Sequence, residues 1–198
     1  MCDPIHVDRT FPSAGAARPV VPCVTHGLGR RQVVGLGLLG AATFAAGLAP
    51  GGAQAGGNAK ALMLSCMDYR LVDDLIKMME TAGLHDNYDH VVLAGASLGV
   101  VHEKFADWHD TFWQHLDIAK QLHQIEEVIV IDHRDCGAFR LALGKQAVDS
   151  TEKETQMHQL AINEFALRVK ARHPDLAVKG YLMALDGSAE QIALNGAA

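Results

Sequence analysis

The chain has 198 residues, 49% of them hydrophobic and 20% charged, with a net charge of −6 at pH 7. That length suits one domain with its own core. The acidic balance, without a basic stripe, argues against nucleic acid as the main partner and against docking on an anionic membrane surface.

In chain order, residues 1–55 read as an export signal. Arg30-Arg31 precede an apolar, Gly- and Ala-rich stretch from Val33 to Ala49, and Pro50-Gly51-Gly52 leads into a small-x-small site, Ala53-Gln54-Ala55. A charged region, an apolar region and a cleavage site stand in the order that export requires. The paired arginines point to the twin-arginine route, and the apolar stretch is short for a membrane span. The alternatives are an uncleaved anchor and a disordered tail behind a mis-assigned start. On the export reading the protein is periplasmic, meets the membrane only during export, and matures to a single domain over 56–198.

Apolar periodicity then lays out the mature chain. Lys60–Ser65 reads as a first strand, and Tyr69–Thr81 as a helix with Leu71, Leu75 and Met78/Met79 at helical spacing. Gly83 stops that helix. His90–Ala94 is a short second strand running into a small-residue loop, Gly95–Gly99. From Glu103 to Gln124 a long amphipathic helix carries Phe105, Trp108, Phe112, Leu116, Ala119 and Leu122/His123 on one face. Glu127–Ile131 is the third strand. A further helix opens at Thr151, with Glu154 completing a T-x-x-E capping box, directs Met157, Leu160, Ala161 and Phe165 inward, and ends before His173-Pro174. Val178–Leu185 is the last strand, closed by a turn at Asp186-Gly187. Strands alternating with helices imply an α/β fold, a mostly parallel central sheet flanked by helices.

Two strand ends carry the chemistry. Cys66-Met67-Asp68-Tyr69-Arg70 follows the first strand and His133-Arg134-Asp135-Cys136 follows the third. Ligands of open α/β sheets gather beyond the carboxyl ends of strands. Two thiolates and an imidazole, Cys66, His133 and Cys136, make a three-ligand zinc set with one position open, which is the mark of a catalytic rather than a structural site. Of four cysteines, Cys2 and Cys23 fall in the removed segment, so the mature domain keeps only this pair. A Cys66–Cys136 disulfide is the competing explanation, permitted in an oxidising compartment. Asp68 near the metal can orient a nucleophile or occupy the open position, and Arg70 can hold it ionised through a bidentate pair; the plain alternative is an ion pair at a helix start.

C-x-D-x-R followed by H-x-x-C-G resembles the β-class carbonic anhydrases, over about Lys60 to Leu185. The resemblance implies that Cys66, His133 and Cys136 are zinc ligands, that Asp68 and Arg70 form the catalytic aspartate–arginine dyad, and that Gly137 is the glycine after the second cysteine. It also implies dimers or higher homo-oligomers with sites at the subunit interface. Where that family commonly carries an Arg-Asn-Ala-Gly-like stretch, this chain has Leu93-Ala94-Gly95-Ala96-Ser97-Leu98-Gly99. The activity implied is zinc-dependent reversible hydration of carbon dioxide to bicarbonate and a proton, a carbonate dehydratase (lyase) reaction. The alternatives are hydrolysis of carbonyl sulfide or carbon disulfide at the same site, and a non-catalytic zinc-binding or redox-sensitive exported domain.

Other polar residues read as ordinary. His102, His109, His115 and His123 lie on or beside the long helix, mostly off its apolar stripe, and suit a solvated surface. Trp108 and Trp113 face different ways and suit core or dimer contact. Ser97 lacks the G-x-S-x-G frame of a nucleophile elbow.

Overall fold

Strand β1 (Ala61–Ser65) is buried at all five residues, as a continuous apolar strand must be when it is covered on both faces. A computed structural model describes residues 57–195; the proposed export segment, 1–55, lies outside them. Beside β1 stand β2 (Tyr88–Val92), β3 (Glu127–His133), β4 (Ala177–Met183) and β5 (Ala189–Ile192), giving one sheet in the order β2-β1-β3-β4-β5. The first three pairings are parallel and β4–β5 is antiparallel. The expected mostly parallel α/β architecture is the observed one. Strand β5 was not legible, because three of its four residues are exposed and carry no apolar alternation. It returns through a turn in which the Ser188 N–H and hydroxyl both donate to Asp186 Oδ1, at 3.0 and 2.6 Å.

Alternate residues of each strand serve opposite faces. Ala61, Met63, Ile129, Ile131 and Met183 pack under Leu71, Leu75 and Met79, the latter two on helix α1 (Val72–Thr81). Leu62, Leu64, Val128 and Val130 face the other way. They meet Val100 of α2 (Ser97–Val101), Phe112 and Leu116 of α3 (Ala106–His123), and Ile162 and Phe165 of α5 (Thr151–Arg172). A smaller cluster at the carboxyl edge joins Leu98, Phe105, Cys136, Ala161 and Phe139, the last on α4 (Gly137–Leu143). Among the described residues no helix is long and apolar enough to cross a membrane.

The differences from the sequence expectation have physical causes. Residues 69–71 form a 3-10 turn capped by Asp68, so α1 proper starts at Val72. The second strand spans 88–92 rather than 90–94, and the supposed loop at 95–99 is a Gly95-Ala96 turn followed by α2. Ser150, not Thr151, caps α5, its hydroxyl accepting from Lys153 N at 3.3 Å, and Glu154 turns to the Asp135 N–H instead of closing a capping box. Leu160 is 58% exposed, because α5 buries the stripe His158, Ala161, Ile162, Phe165, Ala166 and Val169. Ala161 and Phe165 are buried as expected, but a histidine in a core stripe is invisible to an apolar pattern, and Leu160 was placed inward where His158 is. Leu122 is likewise exposed. Helix α4 and the 3-10 turn at Lys145–Val148 occupy a stretch in which no element was expected.

The sheet order places the site. From β1 the chain crosses through α1 to β2 on one side; from β3 it crosses through α5 to β4 on the other. The carboxyl ends of β1 and β3 therefore border the point where the winding reverses, where a crevice opens.

Gly180 lets α5 lie close on β4, since a Cβ there would overlap Ile162 Cγ2. Gly180→Ala is expected to cost about 1–3 kcal/mol through overpacking. Urea unfolding should show that loss, and it should be smaller when Gly180→Ala is made in an Ile162→Ala chain, which lacks the Cγ2 methyl.

Candidate metal centre

Cys66 is the first residue beyond β1 and His133 the last of β3, while Cys136 is the residue on which α4 begins. Between the two ligands of the second motif the chain reverses at Asp135, whose φ of 56° lies in the left-handed region that Asp tolerates better than most residues. His133 is 2% exposed. Its Nδ1 is 2.8 Å from the Arg134 carbonyl, which can only accept, so Nδ1 carries the proton and Nε2 is free as a ligand. Nε2 is buried and has no hydrogen-bond partner.

That orphaned nitrogen shares a corner with two sulfurs. Cys66 Sγ and Cys136 Sγ are 4.0 Å apart, and one donor atom from each of the three residues lies within 4.8 Å of the others. Two sulfurs bound tetrahedrally at ~2.3 Å from zinc stand about 3.8 Å apart, so the donor set and its spacing fit this metal. Both cysteines are free thiols, and their separation is about twice a disulfide bond. The Cys136 thiol donates to Cys66 and, with His133 and the Gly95 N–H, pulls the Cys66 pKa down to about 4 against the effect of burial. The hydrogen bond to the Cys66 anion, with burial, raises that of Cys136. Burial works against charge on His133, but the adjoining Cys66 thiolate and the Arg134 carbonyl outweigh it and raise its pKa.

Asp68 and Arg70 form the pair read from the sequence. Arg70 Nε and Nη2 donate to the two Asp68 oxygens at 2.9 and 2.7 Å, and the Arg70 backbone N–H adds a third bond at 3.0 Å. The fork fixes the carboxylate on one side. Asp68 Oδ2 lies 3.9 Å from His133 Nε2, at the edge of the donor cluster. Arg70 continues to Asp135, through Nη1 to Oδ2 at 3.0 Å, and Arg140 reaches the other Asp135 oxygen at 2.7 Å. Asp135 thus ties the two motifs together. Arg134 bonds Thr155 and Glu190, and Glu154 Oε1 accepts from the Asp135 N–H at 2.5 Å. The charged pair inside His133-Arg134-Asp135-Cys136 is a brace for the ligand turn.

Several contributors were not singled out in the sequence. Arg140 carries no motif, and the capping-box reading of Glu154 gave no hint of its bond to the 133–136 turn. Gly95 donates its backbone N–H to Cys66 Sγ at 3.3 Å, a role that leaves no side-chain trace. Asp132, Ser97 and His158 form a buried hydrogen-bonded set behind the site. Ser97 is indeed no exposed nucleophile, being fully buried. His102, His109, His115 and His123 are engaged locally, with Lys104 N, the His102 carbonyl, the Thr111 carbonyl and Asp89, and none belongs to the donor group.

Comparison with known proteins gives concordant results. A family model described as "Putative carbonic anhydrase" matches residues 57–193. An uncharacterised protein of Rickettsia conorii is 40% identical over 135 residues, covering 68% of this chain and 73% of its own. Another, from Rickettsia bellii, is 40% identical over 135 residues, with 68% and 82% covered. Among solved structures, the β-carbonic anhydrase CafA of Aspergillus fumigatus aligns with a TM-score of 0.51 at 16% identity, covering 72% of this chain and 78% of that one, a likeness of fold.

The Arg70 fork, ahead of the other contributions, lowers the Asp68 pKa from 3.8 to about 2. A carboxylate with a depressed pKa in the folded state contributes stability that is complete above about 3.8 and vanishes as pH falls through about 2. A carboxyl titration by NMR is expected to place Asp68 near 2, and Arg70→Ala to return it towards 3.8. A wild-type midpoint at the ordinary value would show that the pair does not hold in solution.

Proposed function

The chain belongs to the family described as "Putative carbonic anhydrase", and on that premise we propose that it catalyses the reversible hydration of carbon dioxide to bicarbonate and a proton. The observation that carries the proposal is the unpartnered His133 Nε2 beside two free thiols, with an arginine-held carboxylate oxygen 3.9 Å away. Cys66, His133 and Cys136 would hold zinc, which when bound supplies the Lewis acidity that makes water a nucleophile near neutral pH. Two thiolates cancel the formal charge of the ion, so this acidification is weaker than at an all-histidine site.

The chain's own residues supply orientation. Asp68, ionised throughout the neutral range, is an acceptor only. Its Oδ2 takes the hydrogen bond of the attacking water and turns a lone pair towards the carbon of carbon dioxide. Arg70 occupies the other side of the carboxylate, which keeps Asp68 from rotating or taking up a proton. Oxygen adds to carbon, bicarbonate departs, and the proton of the water leaves to buffer. Met67 and Tyr69, 67% and 84% exposed, flank Asp68; we include in the proposal that a second copy of the chain covers them.

Export completes the reading and rests on the order Arg30-Arg31, apolar stretch, Ala53-Gln54-Ala55. A reporter fused to residues 1–55 is expected in the periplasmic fraction. Replacing both arginines by lysine is expected to retain it in the cytoplasm, and periplasmic delivery by the doubly substituted segment would remove the twin-arginine assignment.

The enzymatic proposal is tested by stopped-flow hydration with the mature chain from Gly56, carrying one zinc per subunit. A rate well above buffer is expected, falling about 100-fold or more in Asp68→Ala. Zinc-loaded protein without hydration would refute the proposal, and faster turnover of carbonyl sulfide would reassign the substrate.

A further inference from the structure

We propose that Asp132 is a positioning residue for the Cys66 ligand, acting through Ser97 and the Gly95-Ala96 turn. The inference rests on the metal-binding reading of Cys66, His133 and Cys136, and not on the identity of the substrate.

Asp132 precedes His133 on β3 and points to the face that Val128 and Val130 share with α2 and α5. An apolar residue would serve the core there. A buried carboxylate is costly unless its oxygens are saturated with donors. Asp132 is saturated: Oδ1 accepts from Ser97 N at 3.0 Å, and Oδ2 accepts from Ser97 Oγ at 2.6 Å and from His158 Nδ1 at 2.9 Å. All three residues are buried.

What Asp132 grips is the far end of a strained turn. Gly95 has φ 79°, and a Cβ there would come within 3.0 Å of Ala138 Cβ. Ala96 follows at φ 40°, ψ −103°, a conformation that L-residues avoid. Such a residue costs on the order of 1–3 kcal/mol and persists only where its surroundings over-determine it. Two bonds from Ser97 to one buried carboxylate provide that determination. The product of the strained geometry is a Gly95 N–H aimed at Cys66 Sγ, 3.3 Å away.

The consequence is electronic as well as geometric. An N–H donor withdraws charge from a thiolate, and hydrogen bonds to ligand sulfur are a recognised way for a protein to tune a metal. At a centre with two thiolates this donor lessens the charge that the Cys66 sulfur would give to the metal. His158, the third partner of Asp132, packs beside the second cysteine's helix. Its ring centroid lies 3.7 Å from that of Phe139, on α4, which Cys136 immediately precedes. His158 also keeps a buried Nε2 without a partner, a cost unneeded if the position served only to fill the core.

The test uses the full chain loaded with cobalt(II) in place of zinc, reading metal affinity by chelator competition and the thiolate-to-cobalt absorption band. Ser97→Ala and Asp132→Asn are expected to weaken binding about 10–100-fold. They should also move the band to lower energy, because a thiolate without its donor gives up an electron more readily. Ser97→Thr, which restores the hydroxyl, should return both readings towards the parent. Folded variants with parental affinity and band position would overturn the proposal. If Asp132→Asn does not fold, Ser97→Ala decides alone, since it keeps the Asp132–His158 pair. A parent chain that binds no metal overturns this inference together with the metal reading. Metal binding without carbon dioxide hydration overturns the enzymatic proposal only.

Discussion

Everything at the candidate metal centre depends on β1 and β3 lying side by side and parallel, with Ser65 opposite Ile131. Parallel pairing sends both carboxyl ends to one edge, and this register sets Cys66 against the end of the strand that carries His133. The crossovers then leave in opposite directions, through α1 and through α5, so no connection covers the crevice between them. A slip of one residue in either strand would turn its ligand to the other face. The continuous burial of Ala61–Leu64 and Val128–Ile131 opposes such a slip, because each strand has a helix layer to satisfy on both sides.

Around the donor set the structure spends its charges on rigidity. Arg70 joins Asp68 to Asp135, Arg140 completes Asp135, and Arg134 bridges the ligand turn to α5 and β5. A left-handed Asp135 puts Cys136 and His133 on one side of the turn, and Glu154 holds that turn by its N–H. The same carboxylate–guanidinium fork that immobilises Asp68 also keeps it ionised. Position and protonation state therefore have one cause, and a single arginine controls both.

The main elements and the donor residues were legible because their signals are local. The apolar runs at 61–64 and 128–131, the helical spacing of Leu71, Leu75 and Met79, and the two short motifs each announce themselves within a few residues. What was misread depended on partners distant in the chain. Helix α5 was assigned Leu160 as an inward residue, when His158 takes a core place because Asp132 satisfies it. Glu154 was given to a capping box, but a backbone N–H across the molecule claims it. The stretch 95–99 was read as a loop, because nothing in Gly-Ala-Ser-Leu-Gly shows that Ser97 will find a buried carboxylate on β3.

The candidate donor atoms can be read from the residues alone: two thiols, one imidazole, one carboxylate and its arginine, at the ends of two buried strands. Those are properties of side chains and of short-range order, and they survive without coordinates. How they meet is a property of the folded chain. It set two sulfurs 4.0 Å apart as free thiols, left His133 Nε2 without a partner, and aimed a Gly95 N–H at one sulfur from a turn held by Asp132. The reason is physical: distances between residues some 70 positions apart are fixed by sheet register and packing, to which each local sequence contributes only half.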